Sequence, residues 1–375
     1  MSDAPAFGVA RAGAVDCVCP PGSRPAGAGA TTGLGWLTVG AAASVLSQTL
    51  MYGLLPLAGA MHAPEPALVP VPFVALLIGA VAATFPAAIL RDAFGRRAAF
   101  ALGASLGIAG GLVLAFGLTA AAFWPIVLGA FWIGVANGFA LQYRHAAAAG
   151  LAPGDAARSI AIVVGASALV GIVARLSAGF FEAGLAPLLG AGTAILAAVA
   201  HVVGLAAALA LPAEAEAVAQ APAPVRQGAA GWMVPTAIAS LAWFGMTAMM
   251  VDAPLGLVAC GVGFTGTVGI VAWHVVAMYA PAGAVGILTG RLGILPPGAL
   301  RPAGVGGAAG ALASARAGGA IAAALIANGI GWSLATSASV VALHAAAPSR
   351  LGVAGHDAAI LAAAVAGALL SQAIL

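Results

Sequence analysis

Apolar residues fill this chain in long runs, and its polar positions gather in short breaks between them. A helix needs roughly 20 apolar residues to cross the hydrocarbon of a bilayer. On that criterion the breaks divide the chain into eleven predicted spans. The first six are Leu34 to Met61, Leu68 to Leu90, Ala98 to Leu118, Trp124 to Tyr143, Ile160 to Phe181 and Leu185 to Leu211. A polar-leaning stretch, "PAEAEAVAQAPAPVRQGAAG", then reads as a linker. Five more spans follow: Met233 to Val251, Thr267 to Leu288, Pro302 to Ala315, Gly318 to Ala347 and Ala358 to Leu375. The expected fold is an all-α polytopic membrane protein with two helical bundles, of six and of five (or six) transmembrane helices. Residues 1–32 are expected to be a flexible cytoplasmic tail, 33–211 the N-terminal six-helix bundle, 212–232 a cytoplasmic linker and 233–375 a C-terminal bundle one helix short. The tenth span is long for a single crossing, so it is also a candidate for two spans merged into one.

Composition supports lipid as the solvent. Of 375 residues, 63% are hydrophobic and 6% charged, with mean hydropathy +1.11, against about a quarter charged in a soluble domain. The absence of lysine and the wealth of Ala and Gly read as a GC-rich coding bias, so small residues at helical spacing carry little weight by themselves. The net charge of +3 is scattered, which excludes the concentrated basic face of a nucleic-acid binder. Cys17, Cys19 and Cys260 have neither disulfide-framework nor metal-ligand spacing. No cofactor or metal is expected. No nucleophile–base pair, metal cluster or phosphate loop stands out, and the histidines and carboxylates read as few and dispersed, so no enzyme is expected.

Basic residues are retained on the cytoplasmic side during insertion. With the N-terminus inside, the inner segments hold Arg11, Arg24, Arg91, Arg96, Arg97, Arg144, Arg158, Arg226, Arg291, Arg301 and Arg350, and the outer segments only Arg316. Arg175 falls within the fifth span. This asymmetry predicts a multi-pass protein of the cytoplasmic (inner) membrane with its N-terminus in the cytoplasm. The 1–32 segment lacks the features of a cleaved signal, so the first apolar run is expected to remain as a span.

The densest charge sits in "LRDAFGRR", between spans two and three, where four of eight residues are charged. The stretch resembles the signature loop of the major facilitator superfamily, G-x-L-x-D-x-x-G-R-R. Leu90, Asp92, Gly95, Arg96 and Arg97 match it, and Ala88 replaces the first glycine. The stretches "GVANGFALQYRHAAA", "APLGLVACG", "WHVVAMYAP" and "NGIGWS" are similar to a poorly characterised bacterial subgroup of these transporters. The resemblance implies that the loop latches the two bundles on the cytoplasmic side. The corresponding second-half loop, "TGRLGILPPGALR", lacks the aspartate and the paired arginines. The mid-membrane arginine of span four and the Gly-Pro pair of span five, frequent in proton-coupled exporters of the superfamily, are also missing.

The resemblance further implies a substrate cavity lined by the first, fourth, seventh and tenth spans. Ser44, Gln48 and Tyr52 share one helix face, as do Asn328, Trp332 and Thr336, because residues four apart align on a helix. The cavity candidates are Gln48, Tyr52, Asn137, Arg175, Trp243, Asn328, Trp332 and Thr336. A charge inside a span commonly faces a cavity, so Arg175 is a candidate for attracting an anionic substrate, or else a structural partner of Glu182. Asp252 and His274 are the candidates for proton coupling, and His201 is the other histidine within a span. The expected function is secondary transport of a small organic solute by alternating access. The expected partners are that solute, the lipid bilayer and protons as coupling ion, with the chain acting as a monomer. The alternative is a reduced, non-transporting relative serving as a membrane sensor or assembly subunit.

Overall fold

The computed structural model describes residues 33–149, 151, 153–184, 190–212, 230–292, 318–346 and 349–374. Regular structure among them is entirely helical. The helices are α1 (Leu34–His62), α2 (Val71–Thr119), α3 (Phe123–Ala140), α4 (Gln142–Ala148), α5 (Pro153–Ala166), α6 (Ala168–Gly184) and α7 (Ala191–Ala210). After the linker come α8 (Ala230–Ala259), α9 (Phe264–Leu292), α10 (Gly318–Ala345) and α11 (Arg350–Ile374). A 3₁₀ turn, Pro66–Leu68, joins α1 to α2.

Nine stretches among the described residues are long and apolar enough to cross a membrane. One of them, Pro66–Thr119, has 54 residues and would be about 80 Å long if straight. It is not straight. Gly95 adopts φ 80° and ψ 166°, a region essentially restricted to glycine, and the chain turns back there. Both arms lie along α3. A Cβ on Gly134 of α3 would strike the Leu76 carbonyl of the first arm, and one on Gly110 of the second arm would lie 2.7 Å from the Ile133 nitrogen. The arms are therefore the predicted second and third spans. Helices that share lipid gain nothing from apolar burial against each other, so close backbone approach supplies their packing. The Ala and Gly residues expected from coding bias are put to that use.

The other spans follow with shifted edges. The fourth comprises α3 and α4, broken at Leu141, and the fifth comprises α5 and α6, broken at Ser167. The tenth is one continuous helix, which removes the possibility of two merged spans. The ninth predicted span, Pro302 to Ala315, lies outside the described residues. The eleventh begins at Arg350 rather than Ala358, a difference with consequences for the site. Large apolar side chains such as Phe116, Trp124, Leu176 and Phe180 point outward, each more than 60% exposed, as lipid-facing positions require.

Helices α1 to α7 form one bundle, and α8 to α11 pack on one another in the second. The bundles meet where α5 and α6 lie on α9 and where α11 lies on α2. At the first of these contacts Gly165 of α5 approaches Gly283 of α9, and Gly171 of α6 approaches the Ala272 carbonyl.

Replacing Gly95 by alanine forces a side chain into a glycine-only conformation. Gly95→Ala is expected to lose about 1–3 kcal/mol, read as a lower unfolding midpoint in detergent. An unchanged midpoint would mean that the turn does not need its left-handed geometry.

Candidate functional site

A cavity lies between the bundles. Gln48 and Tyr52 of α1, Asn137 of α3, Trp243 of α8, and Trp332 and Thr336 of α10 all line it. The shared helix faces on α1 and α10 thus open onto the same space. Arg144, Tyr279 and Ser167 join them. Gln48 Nε2 donates to the Tyr52 hydroxyl at 2.7 Å. Tyr279 in turn donates to Gln48 Oε1 at 3.5 Å, across the bundle interface. The Trp332 ring stands edge-on to Trp243, with centroids 5.3 Å apart, and to Tyr279, at 5.7 Å. This edge-to-face geometry suits the aromatic quadrupole. It builds an aromatic wall on the second bundle, opposite a polar Gln–Tyr pair on the first.

The remaining candidates sit elsewhere. Asn328 is absent from the cavity lining, and its amide donates to Met249 Sδ at 3.2 Å, joining α10 to α8. Arg175 lies in α6, and its side chain is outside the described set. Glu182, considered as its partner, accepts from the Gly190 and Thr193 amides and the Thr193 hydroxyl at 2.6–2.9 Å. It therefore caps the positive end of α7. His274 donates Nδ1–H to the Leu325 carbonyl at 2.6 Å, tying α9 to α10, and His201 is buried against Gly107. Asp252 lies in α8, half-buried, and neither it nor His274 lines the cavity.

The strongest polar feature involves residues outside that candidate set. One turn beyond the cavity on three helices, charged and titratable groups converge. Arg144 of α4 forms a 2.6 Å ion pair with Asp357 of α11, both buried. His145 Nε2 lies 3.2 Å from Asp357 Oδ2, and Gln142 Nε2 donates to the same oxygen at 3.2 Å. His145 Nδ1 lies 3.0 Å from His344 Nε2 of α10. His356, beside Asp357, bonds Thr236 of α8 at 2.8 Å. The expectation of dispersed histidines and carboxylates is therefore corrected: helix packing brings residues more than 200 positions apart into one network. Two signals stood in the sequence. "QYRH" closes the fourth span, and "HD" lies within the first two turns of α11. Starting the last span at Ala358 left Asp357 outside it and hid a charge within a span.

The signature loop occupies the same face. Gly95 makes the turn, Leu90 packs against the cluster of Ala83, Ala87, Ala99, Val135 and Phe139, and Arg96 donates to the Pro212 carbonyl at the start of the linker at 3.4 Å. Asp92 and Arg97 are exposed at the surface. Most of the second-half loop, from residue 293 onward, lies outside the described residues.

The fold and this site define a polytopic membrane protein built as two helical bundles around a central cavity. Its loop at Leu90 to Arg97 resembles the signature loop of the major facilitator superfamily, and solved transporters share its fold. The human organic anion transporter MFSD10 (TETRAN) shares the fold at TM-score 0.60, with 14% identity and 94% of each chain covered. The E. coli fucose:proton symporter FucP does so at TM-score 0.53, with 14% identity over 91% of this chain and 89% of that one. In sequence the chain is 28% identical to the riboflavin transporter RfnT of Brucella anthropi over 264 residues. That match takes in 68% of this chain and 66% of the relative, so the chain spans just under two thirds of the relative's length. No protein-family model matches the chain.

Removing one partner of a buried ion pair leaves an uncompensated charge and costs about 3–5 kcal/mol, whereas replacing both with apolar groups is often neutral. Arg144→Met alone should therefore destabilise the protein by about that amount, and Arg144→Met with Asp357→Leu should recover most of it. Unfolding midpoints in detergent for the parent, Arg144→Met, Asp357→Leu and the double variant check the cycle. Additive losses would mean that the pair is not coupled.

Proposed function

We propose that the chain is a secondary transporter that carries a small, flat heteroaromatic solute across the cytoplasmic membrane by alternating access. The observation that carries this reading is the cavity between the bundles, with Gln48 and Tyr52 on one side and Trp243, Tyr279 and Trp332 on the other. Such sites between bundles are where carriers of this architecture hold substrate. Aromatic side chains match the faces of a conjugated ring system, while the Gln–Tyr pair offers hydrogen bonds at its edge. Riboflavin has that chemistry and is the solute named for the sequence relative.

In this reading the chain works as a monomer in the inner membrane. Its N-terminus, the signature loop and the linker face the cytoplasm, in line with the arginine asymmetry. Protons are the coupling ion, as the name of the FucP symporter states for that protein. The signature loop, with Asp92, Gly95, Arg96 and Arg97, braces the cytoplasmic side. The alternative of a non-transporting sensor or assembly subunit is not favoured, since the three similar proteins are all named as transporters.

Proteoliposomes holding the purified chain test the reading. Labelled riboflavin should exchange across them, while fucose should not. Trp332→Ala should weaken riboflavin binding by about tenfold, roughly 1.4 kcal/mol, and Trp332→Phe should restore most of it. Absence of riboflavin exchange, or equal binding by Trp332→Ala and the parent, would sink the proposal.

A further inference from the structure

Among the described residues, the wall of the cavity carries one charged side chain, Arg144. Its other polar groups are hydroxyls, carboxamides, phenols and indoles, all uncharged. A lone guanidinium in such a wall would draw anions into the site. Arg144 has a partner, however. Asp357 Oδ1 stands 2.6 Å from its Nη2, fully buried and off the cavity lining. Gln142 Nε2 and His145 Nε2 lie 3.2 Å from the other carboxylate oxygen, so donors hold the anion in place. Arg91, the other cation near His145, is partly exposed and also off the lining. His145, His344 and His356 complete the cluster without lining the cavity. Above the ordinary histidine range, about pH 6.5, their rings are uncharged. The cavity therefore meets a positive charge with a negative one directly behind it.

We propose that Asp357 fixes the charge of the solute: by cancelling Arg144 it makes the cavity take a flat solute without net charge and reject anionic forms of the same ring system. The shape of that solute rests on the transport reading, whereas the charge balance does not. An anion entering the site must shed water, which is costly unless a counter-charge takes the water's place. Arg144 supplies little of one, because its attraction is offset by repulsion from the carboxylate behind it. Hydrogen bonding survives that cancellation. A guanidinium presents five N–H donors in a planar fork. Nη2 serves Asp357, and Nε faces His145 Nε2 at 3.4 Å. As a wall residue, Arg144 can still donate to a carbonyl or hydroxyl of a neutral solute. Asp357 is off the wall, so it is a positioning residue that sets specificity through Arg144.

Charge at the cavity can be read without any solute. Ser337 of α10 lines the cavity and is partly exposed. In full-length protein with Cys17, Cys19 and Cys260 changed to serine, Ser337→Cys is labelled in detergent at low salt and about pH 8, where histidine is neutral. Two methanethiosulfonates are compared, one with an uncharged hydroxyethyl group and one with an anionic sulfonatoethyl group. Each rate is divided by that for a free thiol in solution. With the pair intact, the anionic-to-neutral ratio should lie within about threefold of one. Adding Asp357→Asn should raise it about tenfold, adding Arg144→Met should lower it about tenfold, and Arg144→Met with Asp357→Leu should return it to the starting value. If one single variant does not fold, the other and the double decide; if only the double folds, a ratio tenfold from the starting value overturns the proposal. A starting ratio that strongly favours the anion, or single variants that leave it unmoved, would also overturn it. In a second arm, riboflavin should bind at least about tenfold more tightly than its 5′-phosphate, which carries close to two negative charges, and Asp357→Asn should narrow that gap. Failure of riboflavin to bind, with the labelling cycle as expected, would reject the solute and leave the charge selection standing. Riboflavin exchange with unmoved labelling ratios would reject the charge selection alone.

Discussion

A charge enclosed between helices in an apolar medium has to be paired, and the partner has to reach it with good geometry. Arg144 and Asp357 meet this requirement from opposite bundles. Much of the surrounding arrangement follows from it. The break at Leu141 separates α4 from α3, and the residues of α4 turn Gln142, Arg144 and His145 toward α10 and α11. The cavity ends where these groups begin. The ion pair therefore joins the two bundles and also closes the space between them.

Around that junction the helices approach closely because their contact positions are small. Gly134 sits on the Leu76 carbonyl, and Gly165 meets Gly283 across the bundle interface. Glu182 serves the same end by capping α7, so one of the few carboxylates in the chain holds a helix terminus. The polar groups that remain within the spans are thereby sorted. His274, His201 and Asn328 connect or fill helix contacts, whereas Gln48, Tyr52 and Tyr279 face the cavity and meet each other across it.

Much of this was legible in the residues. Hydrophobic runs marked the spans, because lipid demands a continuous apolar helix surface. The "LRDAFGRR" stretch resembled the superfamily's signature loop, and the structure turns the chain back at its Gly95. Polar residues four apart on α1 and α10 marked faces that do open onto one cavity, since helical periodicity sets which side chains share a side. Asn328 shows the boundary of that argument. It shares the α10 face with Trp332 and Thr336, yet it lies far enough along the helix to meet Met249 rather than the cavity. Asp357 was lost for another reason. A hydropathy edge drawn at Ala358 treats a charge as the end of a span, whereas α11 carries that charge buried within the helix, paired with Arg144.

The sequence by itself determined what the solvent requires: the order of the apolar runs and the turn at Gly95. These are local properties, set by transfer free energy and backbone sterics. Only the tertiary structure decided which polar groups meet. His145, His344 and Asp357 come from helices on both sides of the linker, and nothing in their spacing along the chain encodes their 3 Å separations. Those distances arise from the packing of two bundles against each other, which joins residues by helix geometry rather than by sequence position.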